Sequence, residues 1–135
     1  MSAVSTYAQA LFGAAREREE LQETLDNLEE FVNALHESEE LRSFFYGAQI
    51  PEGQKRKGID ALTEEMSAST TNFLKVLIDN GRMEILEEAV VRYEDRVLET
   101  ALTSLRAAVL IRIVHSPHNR PAKYLHLLAD VLEIG

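Results

Sequence analysis

The chain has 135 residues, long enough for one domain that buries roughly two-thirds of its unfolded surface and needs no staple to fold. It has no cysteine, which excludes a disulfide framework, thiolate catalysis and cysteine-ligated zinc and fits a reducing compartment. The net charge of −9 is uneven: residues 1–100 hold 10 Lys+Arg against 21 Asp+Glu, residues 101–135 hold 4 against 2, and so acidic a body repels nucleic acid and anionic membrane surfaces.

The opening "MSAVSTYAQALFGAARERE" lacks the basic start and long apolar core of a signal peptide. The longest apolar stretch near the other end, "AAVLIRIV", is short and carries Arg112, so a soluble, cytoplasmic chain without direct membrane insertion is expected. A first helix is predicted from near Val4, capped by Ser2 or Ser5, with Tyr7, Leu11 and Ala14 on one face. Ala8, Ala10, Gly13, Ala14 and Ala15 leave a flank of small residues where another helix backbone can come close.

"AREREE" is compatible with a tight break or a kink, after which Leu21, Leu25, Leu28, Val32 and Leu35 form a heptad-like stripe. Ser38 before Glu39, Glu40 and Leu41 reads as the N-cap of a short third helix that ends at Gly47. "GAQIPEGQKRKG" reads as a loop around Pro51 leading into a weak fourth helix, with Ile59, Leu62 and Met66 aligned.

Ser67 or Ser69 caps a fifth helix over 70–80, and a sixth runs from about Arg82 to at least Glu99. Between them stands Asn80-Gly81, a pair that signals a hairpin turn when its flanks alternate. Here they do not: Phe73, Val76 and Leu77 fall at i, i+3, i+4, and Leu86, Ala89, Val90, Tyr93 and Val97 continue at helical spacing. Gly81 is therefore predicted just past a helix end, in the left-handed conformation that a side chain resists.

Beyond Ala101 the run Val109, Ile111, Ile113, Val114 suggests a short strand over about 107–114. A closing helix is predicted with Leu125, Leu128 and Leu132 aligned. The fold class is all-α: a compact six-helix bundle over 1–100, followed by a 101–135 tail read as the incomplete start of a second domain.

No chemistry stands out. Phosphate-binding glycine motifs are missing, and no histidine has the Glu three residues before it that a di-iron bundle needs. His115 and His118 flank Pro117 and read as polar turn residues, and adjacent pairs such as Glu64 and Glu65 point about 100° apart on a helix. Neither a catalytic residue nor a cofactor or metal ligand is assigned.

Two stretches carry a resemblance. "YAQALFGAA", residues 7–15, resembles the opening helix of the delta subunit of bacterial F-type ATP synthase, the counterpart of the mitochondrial oligomycin-sensitivity-conferring protein. "NFLKVLIDNGRMEILEEAVVRYED", residues 72–95, resembles that family's most distinctive segment, with Asn72, Phe73, Leu74, Leu77, Asn80, Gly81, Arg82 and Tyr93 matching.

The resemblance covers roughly residues 4–98. It implies a non-catalytic stator subunit in the peripheral stalk of a proton- or sodium-translocating enzyme, on the cytoplasmic side of the bacterial plasma membrane. In the family a groove between the first and fifth helices takes the N-terminal helix of an alpha subunit, and the C-terminal region engages the b subunits.

Carried onto this sequence, the groove is Tyr7, Ala8, Ala10, Leu11, Ala14, Phe73, Val76 and Leu77, with Asn80, Gly81 and Arg82 as its helix stop. The tail matches the family poorly, which leaves b-subunit contact open. The alternative is an all-helical RNA-binding regulator of the antitermination type, whose only dense basic patch would be Lys55, Arg56 and Lys57.

Overall fold

A computed structural model of the chain describes residues 2–115, with side chains to residue 111. The described residues form six α-helices and one 3-10 turn: α1 (Ala3–Glu17), α2 (Leu21–Glu37), α3 (Glu39–Tyr46), α4 (Glu52–Leu62), α5 (Ala68–Asp79), the 3-10 turn (Met83–Ile85) and α6 (Leu86–His115). The all-α expectation holds. By its contacts the chain divides into a unit that extends to Glu94 and a second from Asp95 onward.

Local chemistry explains the ends of the first unit's helices. Of the two serines offered for α1, Ser2 is the cap, its hydroxyl accepting from the Ser5 N–H at 3.1 Å. The face presented inward is Val4, Ala8, Leu11, Phe12 and Ala15, a stripe at helical spacing. "AREREE" is a break: Glu19 sits at φ 58°, with the Glu19 and Glu20 N–H groups bonded back to the carbonyls of Arg16 and Ala15.

Helix α2 buries Thr24, Leu25, Leu28, Phe31 and Leu35, so Phe31 and Thr24 take places assigned to Val32 and Leu21, which are half-buried. A straight helix drifts about 20° per heptad against a 3.5-residue repeat, and over 17 residues that drift moves the buried stripe. Arg42 closes the far end, donating to the carbonyls of Leu35 and His36 at 2.8 and 2.7 Å. Ser38 caps α3 through the Leu41 N–H.

Helix α4 starts earlier than its two glycines suggest. Pro51 stands at its N-cap, in an extended conformation that feeds the first turn, so residues 52–58, expected in a loop, are helical. Gly58 is there for closeness: a Cβ would fall 2.7 Å from the Phe44 ring. Only Ile59 of the expected stripe is core; Leu62 is exposed and Met66 lies beyond the helix. Ion pairs from Arg56 to Asp79 and from Lys75 to Asp60 join α4 to α5, which also occupies part of the proposed basic patch.

Ser67 caps α5, and Gly81 follows it at φ 64°. The Gly81 N–H bonds to the Ile78 carbonyl and the Arg82 N–H to the Leu77 carbonyl, the paired bonds of a Schellman stop. Nothing lies within 4 Å of a Cβ built at Gly81, so a substitution meets backbone strain and no collision. Gly81→Val is expected to cost about 1–2 kcal/mol. Thermal unfolding with an unchanged midpoint would remove this account of the stop.

The chain turns through Met83–Ile85 into α6, which starts at Leu86, later than Arg82. In the first unit Leu86, Ala89, Val90 and Tyr93 of α6 are buried. Tyr93 meets the Phe12 ring edge-on and donates its hydroxyl to the Leu21 carbonyl at 2.7 Å.

The second unit is described only as the continuation of α6 to His115, which overturns the strand over 107–114. Extending an existing helix adds a hydrogen bond for each residue ordered, whereas a strand needs a partner, and no strand occurs among the described residues. Ala101, Leu102, Leu105, Arg106, Ala107 and Ala108, all good helix formers, lead into the β-branched run. The closing helix predicted around Leu125, Leu128 and Leu132 lies outside the described residues. No described helix is long and apolar enough to cross a membrane.

Candidate functional site

Helices α1 and α5 lie side by side and leave a cleft of about 160 Å3 between them. From α1 the walls are Tyr7, Ala10, Leu11 and Ala14, with Arg18 just past the helix end; from α5 they are Ser69, Asn72, Phe73 and Val76. Both sets follow one rule, i, i+3, i+4, i+7, so each helix offers a single ridge. Between the ridges the alanines set the depth: with a methyl group at 10 and 14, the α1 wall stays low.

The structure thus brings together six of the residues singled out from the sequence: Tyr7, Ala10, Leu11, Ala14, Phe73 and Val76. Ala8 and Leu77 do not line the cleft. They are 2 % and 0 % exposed and belong to the core, one step of about 100° around their helices from the walls. Arg18, Ser69 and Asn72 were missed by sequence reasoning, although continuing the helical spacing from Leu11 and back from Val76 reaches all three.

Exposure within the cleft is graded. Leu11 and Phe73 form a floor at 3 % and 6 %, whereas Val76 is 43 % exposed and presents a bare branched side chain at the rim. Burying such a surface is favourable by about 25 cal/mol per Å2.

Hydrogen bonds hold both ends of the cleft. At one end Asn80, the last residue before Gly81, donates its side-chain amide to the Tyr7 hydroxyl at 2.9 Å. The helix stop therefore also ties α5 to α1. At the other end the Glu20 carboxylate accepts from the Ser69 N–H and hydroxyl at 3.3 and 2.8 Å, placing negative charge at the start of α5, where the helix dipole favours it.

Behind that end a buried polar chain fixes α5 against α2. The hydroxyls of Thr24 and Ser67, and of Ser67 and Thr70, meet at 2.8 Å, and the Asn27 carbonyl accepts from the Ser67 N–H at 2.9 Å. Each buried polar group has a partner, so the chain specifies one register of α5 and with it the position of Phe73 and Val76.

The arrangement offers shape and apolar surface. Among the described residues no group of three or more His, Cys, Asp or Glu side chains is placed to hold a metal ion. The shifted titratable groups do not line the cleft: burial pushes the Tyr93 hydroxyl up to about 12, and burial with the nearby Glu87 carboxylate raises that of Tyr46.

A family model described as "ATP synthase delta (OSCP) subunit" matches residues 3–111. The chain is 68 % identical over 97 residues to the ATP synthase subunit delta of Rubrobacter xylanophilus, covering 72 % of this chain and 54 % of that protein. It is 32 % identical over 116 residues to the ATP synthase subunit delta of Desulforudis audaxviator, covering 81 % and 62 %. To the chloroplastic ATP synthase delta chain of Sorghum bicolor it is 30 % identical over 115 residues, covering 84 % and 45 %. The chain spans about half the length of these curated relatives. No solved structure matches it. With the family model covering most of its length, on a helical unit whose α1 and α5 hold the distinctive motifs, the chain belongs to the ATP synthase delta (OSCP) subunit family.

Proposed function

We propose that this chain is the head-binding part of a non-catalytic stator subunit of an F-type ATP synthase, and that the α1/α5 cleft receives the amphipathic N-terminal helix of one alpha subunit. The observation that carries the reading is the cleft itself. Two parallel ridges separated by alanines, an apolar floor and the exposed Val76 are what a helix laying its i, i+3, i+4, i+7 residues into a groove requires. Family membership supports this over the RNA-binding alternative, as does the engagement of Arg56 with Asp79.

In this reading the subunit does no bond chemistry. It acts peripherally at the cytoplasmic face of the plasma membrane, holding the catalytic head against the rotor's torque, and contacts to the b subunits fall to the region beyond the six helices. A rigid cleft suits the task, because a clamp that had to be ordered on binding would lose affinity to that ordering. The Glu20, Asn27 and Asn80 hydrogen bonds supply the rigidity.

The test is calorimetric titration with a synthetic peptide of the cognate alpha subunit's N-terminal helix. One-to-one saturable binding is expected, and Val76→Asp, which places an unpaired carboxylate in the apolar contact, should weaken it about a hundredfold. Because Val76 is exposed, the variant should fold, which circular dichroism checks. A folded wild-type chain that ignores the peptide, or a Val76→Asp chain that binds as well, would overturn the assignment.

A further inference from the structure

A second cleft, of about 380 Å3, runs between α2 and the first turns of α6. Its apolar part is Val32, Val90 and Val91, and Val91 is 59 % exposed. Its rims are carboxylates: Glu29 from α2, and Glu87 and Glu94 from α6, each one helical step from a valine. The surface of α2 beside it adds Asp26, Glu30 and Glu37. From α2 the His36 imidazole reaches this rim and meets Glu87 at one end.

Two features distinguish this cleft from an ordinary solvated acidic face. An exposed valine in a concave site is surface that folding has not used. Glu29 and Glu94, like charges from different helices, also line the same opening. A hydrogen bond shared with Glu94 holds the Glu29 carboxyl above its usual range, with burial and the repulsion of Glu94 and Asp26 adding to it. Such a pair is unfavourable in the free protein and is relieved by a cation placed between its members.

We propose that the α2/α6 cleft is a second docking surface, for an amphipathic helix whose apolar stripe is flanked by lysines or arginines. The stripe covers Val32, Val90 and Val91, and the basic flanks reach Glu29, Glu87 and Glu94. Charge complementarity selects this occupant: an acidic or neutral helix would leave the repulsion between Glu29 and Glu94 unrelieved or add to it. This surface shares no residue with the α1/α5 cleft, so it adds a second partner contact to the proposed function and does not depend on it.

The probe is an 18-residue synthetic helix with leucines at i, i+3, i+4, i+7 spacing flanked by lysines, and a control with every lysine replaced by glutamate. Binding is read by fluorescence anisotropy on the full chain at low and at physiological salt. The lysine peptide should bind one-to-one, equally to wild type and Val76→Asp, and at least tenfold more weakly to Val91→Asp; the glutamate peptide should not bind.

Glu29→Gln and Glu94→Gln supply a second reading with opposite signs. Each should weaken the peptide severalfold while raising the thermal midpoint, because each removes a like-charge contact. Binding lost in Val76→Asp but kept in Val91→Asp would put the peptide in the other cleft and overturn the proposal. Binding to all variants alike would mean diffuse attraction to an acidic surface, and would also overturn it. A lowered midpoint in Glu29→Gln would make the carboxyl pair a structural contact, with the same consequence.

Discussion

Leu77→Ala is expected to lower the stability of the first unit by about 3 kcal/mol, within the roughly 2–5 kcal/mol that truncating a fully buried leucine costs. Leu77 is 0 % exposed, whereas Val76 beside it is 43 % exposed. The two differ by a rotation of about 100°, and that rotation separates a core residue from a wall of the cleft. The alanine variant loses the transfer free energy of the removed atoms and leaves a void that close-packed neighbours fill only in part.

For a unit of this size the loss should lower the melting midpoint by roughly 10–20 °C. Urea unfolding measures it directly, and peptide affinity, once corrected for the folded fraction, should be close to that of wild type. A variant with unchanged stability and lost affinity would move Leu77 back into the cleft. The contrast with Val76→Asp, which should fold and not bind, separates the two neighbours experimentally.

Tyr93→Ala is expected to cost about 4 kcal/mol, at the upper end for single substitutions. Tyr93 is 0 % exposed and joins three helices: it sits on α6, its ring meets Phe12 of α1, and its hydroxyl donates to the Leu21 carbonyl at the start of α2. Tyr93→Phe keeps the ring and removes only the donor, leaving the Leu21 carbonyl without that bond at a cost of about 1 kcal/mol near neutral pH.

The phenylalanine variant also carries a pH signature. Burial pushes the Tyr93 hydroxyl from 10.0 to about 12, so the folded chain holds a proton that the unfolded chain releases first. The resulting stability is fully present below pH 10 and is lost as the pH rises toward 12. The advantage of wild type over Tyr93→Phe, about 1 kcal/mol near neutral pH, should therefore change by on the order of 2 kcal/mol over that window, passing through zero so that the phenylalanine variant becomes the more stable. Taking the difference cancels the other alkaline titrations. A difference that stays flat from pH 9 to pH 12 would show that the hydroxyl is not held as the structure has it.

Elements formed by local rules were the most legible. Gly81 is the clearest case: only a residue without a side chain takes φ 64° at little strain, and the helical spacing on both sides excluded a hairpin. The cap at Ser38 followed from residue type and the acidic turn behind it. Where local signals conflicted, they failed. The glycines at 53 and 58 argued for a loop, yet Pro51 starts the helix there, and Gly58 serves a contact with Phe44 that no local pattern reveals. The β-branched run after residue 107 argued for a strand, but a strand requires a partner, and the run extends a helix already formed.

By itself, then, the sequence determined the helical class, most of the helix stops and the two ridges, because a 3.6-residue period, capping chemistry and left-handed glycine are properties of neighbouring residues. Only the tertiary structure decided which faces met. The pairing of α1 with α5, the contact of Asn80 with Tyr7 and the approach of Glu29 to Glu94 join residues separated by long stretches of chain. The sorting of Ala8 and Leu77 into the core and of Ala10 and Val76 onto the cleft turns on the rotation of each helix about its axis. That rotation is set by the sum of packing over the whole unit, where buried area and polar satisfaction favour one angle, and no stretch of sequence contains that sum.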